Sequence, residues 1–301
     1  MKKNKMMRIA SVLLVMTLIS TCAISGTFAK YVTKVSGEDS ARVAKWGVVL
    51  TVSAGEAFAT QYETHDDTYE GEYSVIAFNA EDKLVAPGTS SKDKDVDGDL
   101  VATVMGTPEV ATRYTLKIEG LKDVLLPKKN GLTDYTELKL VDGEYAYGTF
   151  DNSADYTPVK WNLTVSNSNG KTVDLVTVAK QVNPNFNGIG FSFTEAKALV
   201  NNQNAMNTLL PILEGMASGA SNAQVVVNDD GSIEISMDFD PNTEMDYTFT
   251  LSWAWDFDDD GAGTYDKQDT LLGNIAAGVA TVEGASTEIA AKLTATATQI
   301  D

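Results

Sequence analysis

The chain is poor in cysteine, histidine and basic residues: it has one Cys, one His and only 23 Lys and Arg against 42 Asp and Glu. A single cysteine, Cys22, leaves no intrachain disulfide and no cysteine-based zinc knuckle. A single histidine, His65, excludes the His-Glu-x-x-His helix of the zinc proteases. Any Ser-His-Asp triad would have to recruit His65, and no Gly-x-Ser-x-Gly elbow accompanies it. His65 stands in the polar stretch Glu63-Thr64-His65-Asp66-Asp67 and reads as a loop residue. The deficit of basic residues argues against nucleic acid and anionic lipid surfaces as partners, because both require positive charge. Paired carboxylates for glycoside hydrolysis stay open, but in so acidic a chain no pair stands out. The expectation is a protein that is not an enzyme and holds no certain cofactor.

What is present begins at residue 1. Lys2, Lys3, Lys5 and Arg8 are followed by 21 residues without charge, Ile9 to Ala29, and Thr27-Phe28-Ala29 closes the segment with small residues at −3 and −1. This is the layout of a secretory signal cut between Ala29 and Lys30. An uncleaved anchor is the competing reading, since such a stretch could just span a bilayer, but Gly26, three Ser and three Thr dilute it. Ile19-Ser20-Thr21-Cys22 distantly resembles a lipid-attachment box, with Thr21 a poor fit; Cys22 reads better as a small apolar residue of a discarded helix. The expected organisation is a signal peptide over 1–29 and one domain over 30–301, with 30–45 as an extended N-terminal arm. Residues 1–29 hold four basic and no acidic residues, so the exported chain would keep 19 basic against 42 acidic ones, a net charge of −23. It would also lose its only thiol, so its stability must come from a hydrophobic core, for which its length is ample.

From there strands dominate. Residues 48–52, 73–77 and 247–255 are β-rich runs; 111–118 and 158–165 alternate polar and apolar residues, the second stopped by Ser166-Asn167-Ser168-Asn169-Gly170. Val225-Val226-Val227, Asn228-Asp229-Asp230-Gly231 and the apolar series Ile233, Ile235, Met237, Phe239 make a hairpin. Residues 292–300 alternate Thr with apolar residues and are placed to close a sheet. A helix is expected from Thr194, as N-cap, to about Leu213, kinked or divided at Pro211; a second short one starts near Asp269 and ends near Gly278. The fold class is therefore mainly β: a jelly-roll-like β-sandwich with one or two short helices on connections.

Two acidic runs carry the sharpest chemical pattern. Asp-x-Asp-x-Asp-Gly occurs at Asp93, Asp95, Asp97 and Gly98 and again at Asp256, Asp258, Asp260 and Gly261. Alternate carboxylates before a glycine turn are how calcium loops gather oxygen ligands. Position twelve, where such loops place a bidentate acid, is Val104 in one and Lys267 in the other, and a solvated acidic turn is the plainer reading. Trp253 and Trp255 share a strand face; exposed they would make a glycan platform, and buried they would belong to the core.

The junction Gly26-Thr27-Phe28-Ala29-Lys30-Tyr31, with Asp39-Ser40-Ala41-Arg42-Val43-Ala44-Lys45-Trp46-Gly47-Val48, resembles Gram-positive secreted proteins with a SipW-type signal peptide, the TasA and camelysin relatives. Leu84-Val85-Ala86-Pro87-Gly88-Thr89, Gly106 to Ala111 and Tyr156 to Trp161 are similar too, and Leu251 to Trp255 with Asp269 to Asn274 fits the clostridial branch. The resemblance implies a jelly roll, cleavage by a dedicated signal peptidase, and a place in extracellular or cell-surface biofilm fibres. It implies self-assembly or other matrix proteins as partners and no stable membrane anchor after cleavage. Camelysin-type relatives are classed as metallopeptidases, but this chain has no zinc motif to receive that activity. A cell-surface adhesin or glycan-binding module is the alternative, and a secreted hydrolase a third.

Overall fold

Strands with one apolar face need a partner layer, and two antiparallel sheets supply it here. The computed structural model describes residues 32–36, 40–43, 47–53, 57–65, 74–79, 81–92, 98–128, 134–141, 144–151, 154–256 and 265–300. In chain order the strands are β1 (Val32–Ser36), β2 (Ser40–Val43), β3 (Val48–Ser53), β4 (Gln61–His65), β5 (Ser74–Phe78), β6 (Leu100–Gly106) and β7 (Thr112–Lys122). There follow β8 (Asp134–Val141), β9 (Glu144–Asp151), β10 (Val159–Ser166), β11 (Thr172–Asp174), β12 (Ala220–Val227), β13 (Ile233–Phe239), β14 (Met245–Trp255) and β15 (Ala290–Gln299). The first sheet runs β1-β15-β7-β13-β12 and the second β11-β10-β14-β6-β3-β2; β4-β5 and β8-β9 form separate hairpins.

The core lies between the two sheets. On the long central strands β7 and β14 every second residue is buried over most of the length. Tyr114 of β7 stacks on Phe249 of β14 at 5.4 Å, and Phe239 of β13 meets Tyr247 of β14 edge-on at 5.6 Å, so the aromatic rings span the gap from sheet to sheet. Each such fully buried side chain contributes about 1.5–3 kcal/mol by leaving water. One row across the other face of the second sheet is hydroxylic. Thr248 on β14 lies opposite Thr103 on β6, which lies opposite Thr51 on β3, while on its other side Thr248 faces Ser166 of β10. Threonine there keeps β propensity on an exposed face, while the neighbouring row of that face, Val49 opposite Met105, is apolar and exposed. Gly106 ends β6 at φ +132°, where a Cβ would sit 1.7 Å from the Gly47 carbonyl oxygen; only glycine lets the β3 and β6 ends meet.

Several expectations need correction. Among the described residues there are four helices, not one or two: α1 (Leu175–Val182), α2 (Phe193–Val200), α3 (Gln203–Glu214) and α4 (Asp266–Ala276). The β-branched run Val173 to Val178 hides α1, which forms because the Asp174 carboxylate accepts from the Thr177 N–H at 2.6 Å. The expected 194–213 helix is two helices, but they separate at Asn201 and Asn202, where Asn202 caps α3; Pro211 lies inside α3. The N-cap of α2 is Ser192, not Thr194, with a complete capping box to Glu195. Residues 290–299 are interior, flanked by β1 and β7, and His65 ends β4 opposite Ser74 instead of lying in a loop. Of the expected N-terminal arm, residues 32–36 and 40–43 are strands of the two sheets.

Candidate functional site

Three regions bear on function, and the tryptophans decide the first. Trp253 is 2% exposed and Trp255 6% exposed, so neither offers a platform to a glycan. Trp253 holds the segment after β3 in place. Its indole N–H donates to the Ala57 carbonyl at 2.6 Å, Phe58 stacks on it at 5.4 Å, and Tyr62 meets it edge-on at 6.1 Å. Residues 88–91 run beside the end of β14, with Gly88 donating to the Trp255 carbonyl at 2.7 Å and Ser91 to that of Trp253 at 3.0 Å.

This pairing brings residues 88–91, which precede the first acidic run in sequence, against the strand end from which the second one starts. Asp256 follows β14 directly and is exposed. Asp93, Asp95, Asp97, Asp258 and Asp260 lie outside the described residues, as do Ala29 and Lys30 of the expected cleavage site. Among the described residues no three His, Cys, Asp or Glu side chains converge as a metal site. No described helix is long and apolar enough to cross a membrane.

The second region is the N-terminal edge of the first sheet. β1 pairs antiparallel with β15 from Val32 opposite Thr298 to Ser36 opposite Thr294, and it is the outermost strand of that sheet. β2 holds the corresponding place in the second sheet, with Ser40 opposite Thr51 and Val43 opposite Val48. The chain thus gives its first two described strands to the margins of opposite sheets.

The third region escaped sequence reasoning. Helices α1 to α3 enter between β11 and β12 and cover an apolar cavity of about 40 Å³ left between the sheets. Its walls include Ile118, Trp161, Ala196, Leu209, Ile235 and Leu251; Asp174 is its one charged residue, and that carboxylate already caps α1. The loop before α2 crosses β10 closely enough for Phe191 and Trp161 to exchange backbone hydrogen bonds of 2.8 Å. Gly190 permits this approach, since a Cβ there would come within 2.6 Å of the Trp161 carbonyl oxygen.

At the start of α2, the Phe193 N–H donates to Asp123 at 2.7 Å. Burial raises the Asp123 pKa above the usual carboxylate value, against the opposing pull of that N–H, the Trp161 indole and Lys160. The second Asp123 oxygen and the Trp161 indole N–H lack a partner within hydrogen-bonding geometry. Glu195 completes the cap and pairs with Lys160 at 2.8 Å. Its pKa is lowered: burial pushes upward, and the hydrogen bonds from Lys160 and Ser192 outweigh it.

Beside Phe193 a second, open cleft of about 320 Å³ lies over the β12–β13 turn and is walled by Glu119, Asp230, Ser232 and Lys292. Lys117 pairs with Asp230 at 2.7 Å and Lys292 with Glu119 at 2.5 Å. These contacts hold both carboxylates below their ordinary pKa, Asp230 through Lys117 and Glu119 through Lys292. The residues that line these two spaces were legible only as the apolar side of a helix and the polar tip of a hairpin. The capping box Ser192-Phe193-Thr194-Glu195 was the one local signal that fixes where Phe193 points its backbone.

Comparison with protein-family models, with curated proteins and with solved structures finds no match to this chain.

Proposed function

We propose that this chain is a secreted structural subunit of an extracellular or cell-surface matrix, joined to its neighbours through its N-terminal segment. The supporting observation is the position of β1, which lies just after the expected Ala29–Lys30 cleavage point and pairs along β15 at the sheet margin. A margin strand next to a free terminus can be exchanged for the same strand of another copy, because main-chain hydrogen bonds are indifferent to which copy supplies them. Attachment to a signal segment would keep β1 from being donated before export. The jelly-roll form of the sandwich belongs to this proposal too; adjacency of the first and last strands in one sheet agrees with it. Burial of Trp253 and Trp255 takes these two residues out of the adhesin alternative, which would then need other exposed aromatics.

Electron microscopy of protein beginning at Lys30 is the test. Fibres are expected from it, and none from protein beginning at Trp46, whose fold is checked by circular dichroism. Fibres of normal length from the shorter form would overturn the strand-exchange mechanism. A Lys30 form that never assembles would overturn the matrix reading.

A further inference from the structure

We propose that the cavity under α2 and the charged cleft at its mouth are one binding site for a small anionic amphiphile. The apolar part would lie between the sheets and the anionic head against Lys197. Leu121 and Phe193 line both spaces, so the two adjoin at these residues. The inner space holds about three waters by volume but gives them almost nothing to bond, because its walls are apolar apart from the committed Asp174. A space of this kind stays dry or takes an apolar group. Its size suits a short aliphatic segment, not a long acyl chain.

The cleft supplies the sign of the head group. Lys292, Glu119 and Asp230 line the cleft; Lys117 reaches it through its pairs with Asp230 and Glu119, and the Lys197 ammonium lies at its rim, beside the Gly231 and Phe193 that also line it. Lys117 and Lys292 are engaged by those carboxylates. The Lys197 ammonium has no carboxylate partner among the described residues; it sits 3.9 Å from the centre of the Phe193 ring. A surplus cation at an apolar mouth is notable in a chain with 42 acidic and 23 basic residues. Gly231, at φ +82° in the β12–β13 turn, lets the Lys197 nitrogen come within 3.2 Å of where a Cβ would be. Phe193 is half-buried, and its backbone is fixed by Asp123, so rotation of its side chain alone would join cleft to cavity.

Straight-chain carboxylates from acetate to hexanoate, titrated into the full chain and followed by amide and methyl NMR shifts, test this. Affinity should rise about fourfold per methylene until the cavity is full, with shifts at Ala196, Leu209 and Ile235. Hexanoate should bind at least tenfold more tightly than hexylammonium. Lys197→Glu should remove that preference while leaving hexanol binding unchanged. Ala196→Leu, which fills the cavity, should abolish binding of both. Lys197 is half-buried against the Phe193 ring, so a melting curve on each variant separates loss of the site from loss of the fold. Equal binding of hexanoate and hexylammonium, unchanged hexanoate binding in Lys197→Glu, or shifts confined to other regions would each overturn the proposal.

Discussion

Arg113 and Asp238 form a bidentate charged pair within the first sheet. They lie opposite one another on β7 and β13, with the guanidinium Nε and Nη2 donating to the two carboxylate oxygens at 2.6 and 2.8 Å. Asn222, held at φ 51° in the irregular stretch of β12, adds a third hydrogen bond to Asp238 at 3.0 Å. Asp238 is 9% exposed at its side chain and Arg113 47%. Removing the arginine would leave a nearly buried carboxylate short of donors, while the half-exposed partner moderates the loss. Arg113→Ala should therefore cost about 2 kcal/mol at neutral pH by denaturant unfolding, below the 3–5 kcal/mol of a fully buried pair. The hydrogen bonds from Arg113 lower the Asp238 pKa. A lowered folded-state pKa stabilises above the ordinary carboxylate value, and that stability is lost as pH falls through the folded-state value. The gap between wild type and Arg113→Ala should accordingly narrow on acidification below about pH 4. A gap independent of pH would assign the loss to packing of the arginine stem instead.

At the scale of elements, legibility followed period and failed where caps decided the outcome. β7, β10, β13 and β14 were readable because alternation puts one face in the core and the other in water. β8 and β9 were not recognised, and neither was α1, whose Val and Thr content favours strand until the Asp174 cap is taken into account. For α2, Thr194 and Ser192 are both acceptable caps by composition; the reciprocal bonds between Ser192 and Glu195, at 3.2 and 2.7 Å, select Ser192. The cavity was illegible for a different reason. It arises where three helices and two sheets fail to fill the space between them, and no local pattern encodes that. Ser192→Ala removes the hydroxyl acceptor from the Glu195 N–H and should cost about 1 kcal/mol. Phe193 stays held by Asp123, so amide exchange should speed up over the first turn of α2 and not in α3. Equal acceleration in both helices would mean that the layer of helices opens as one unit.

For the whole molecule, the question is whether β1 behaves as a replaceable part. β15 lies between β1 and β7, so its pairing with β7 survives loss of β1, while the row from Thr294 to Thr298 loses its outer partner. Leu293, Thr294, Ala295 and Ala297 of β15 are buried in the complete chain, which makes an uncovered margin there costly. A protein beginning at Trp46 should be less stable than one beginning at Lys30, and a synthetic peptide of residues 30–45 should restore the difference. By mass action, peptide at a hundred times its dissociation constant adds about 2.7 kcal/mol and raises the melting temperature accordingly. A peptide with proline at both Thr33 and Lys34 is the control. In an antiparallel pair alternate N–H groups face the partner, so one of two adjacent prolines must delete a ladder bond whatever the phase. Rescue by the native peptide and not by the proline peptide would establish strand replacement at β15. Rescue by both would point to side-chain adhesion. No rescue by either would mean that β1, once removed, cannot be supplied by another molecule, and subunits could not be joined in this way.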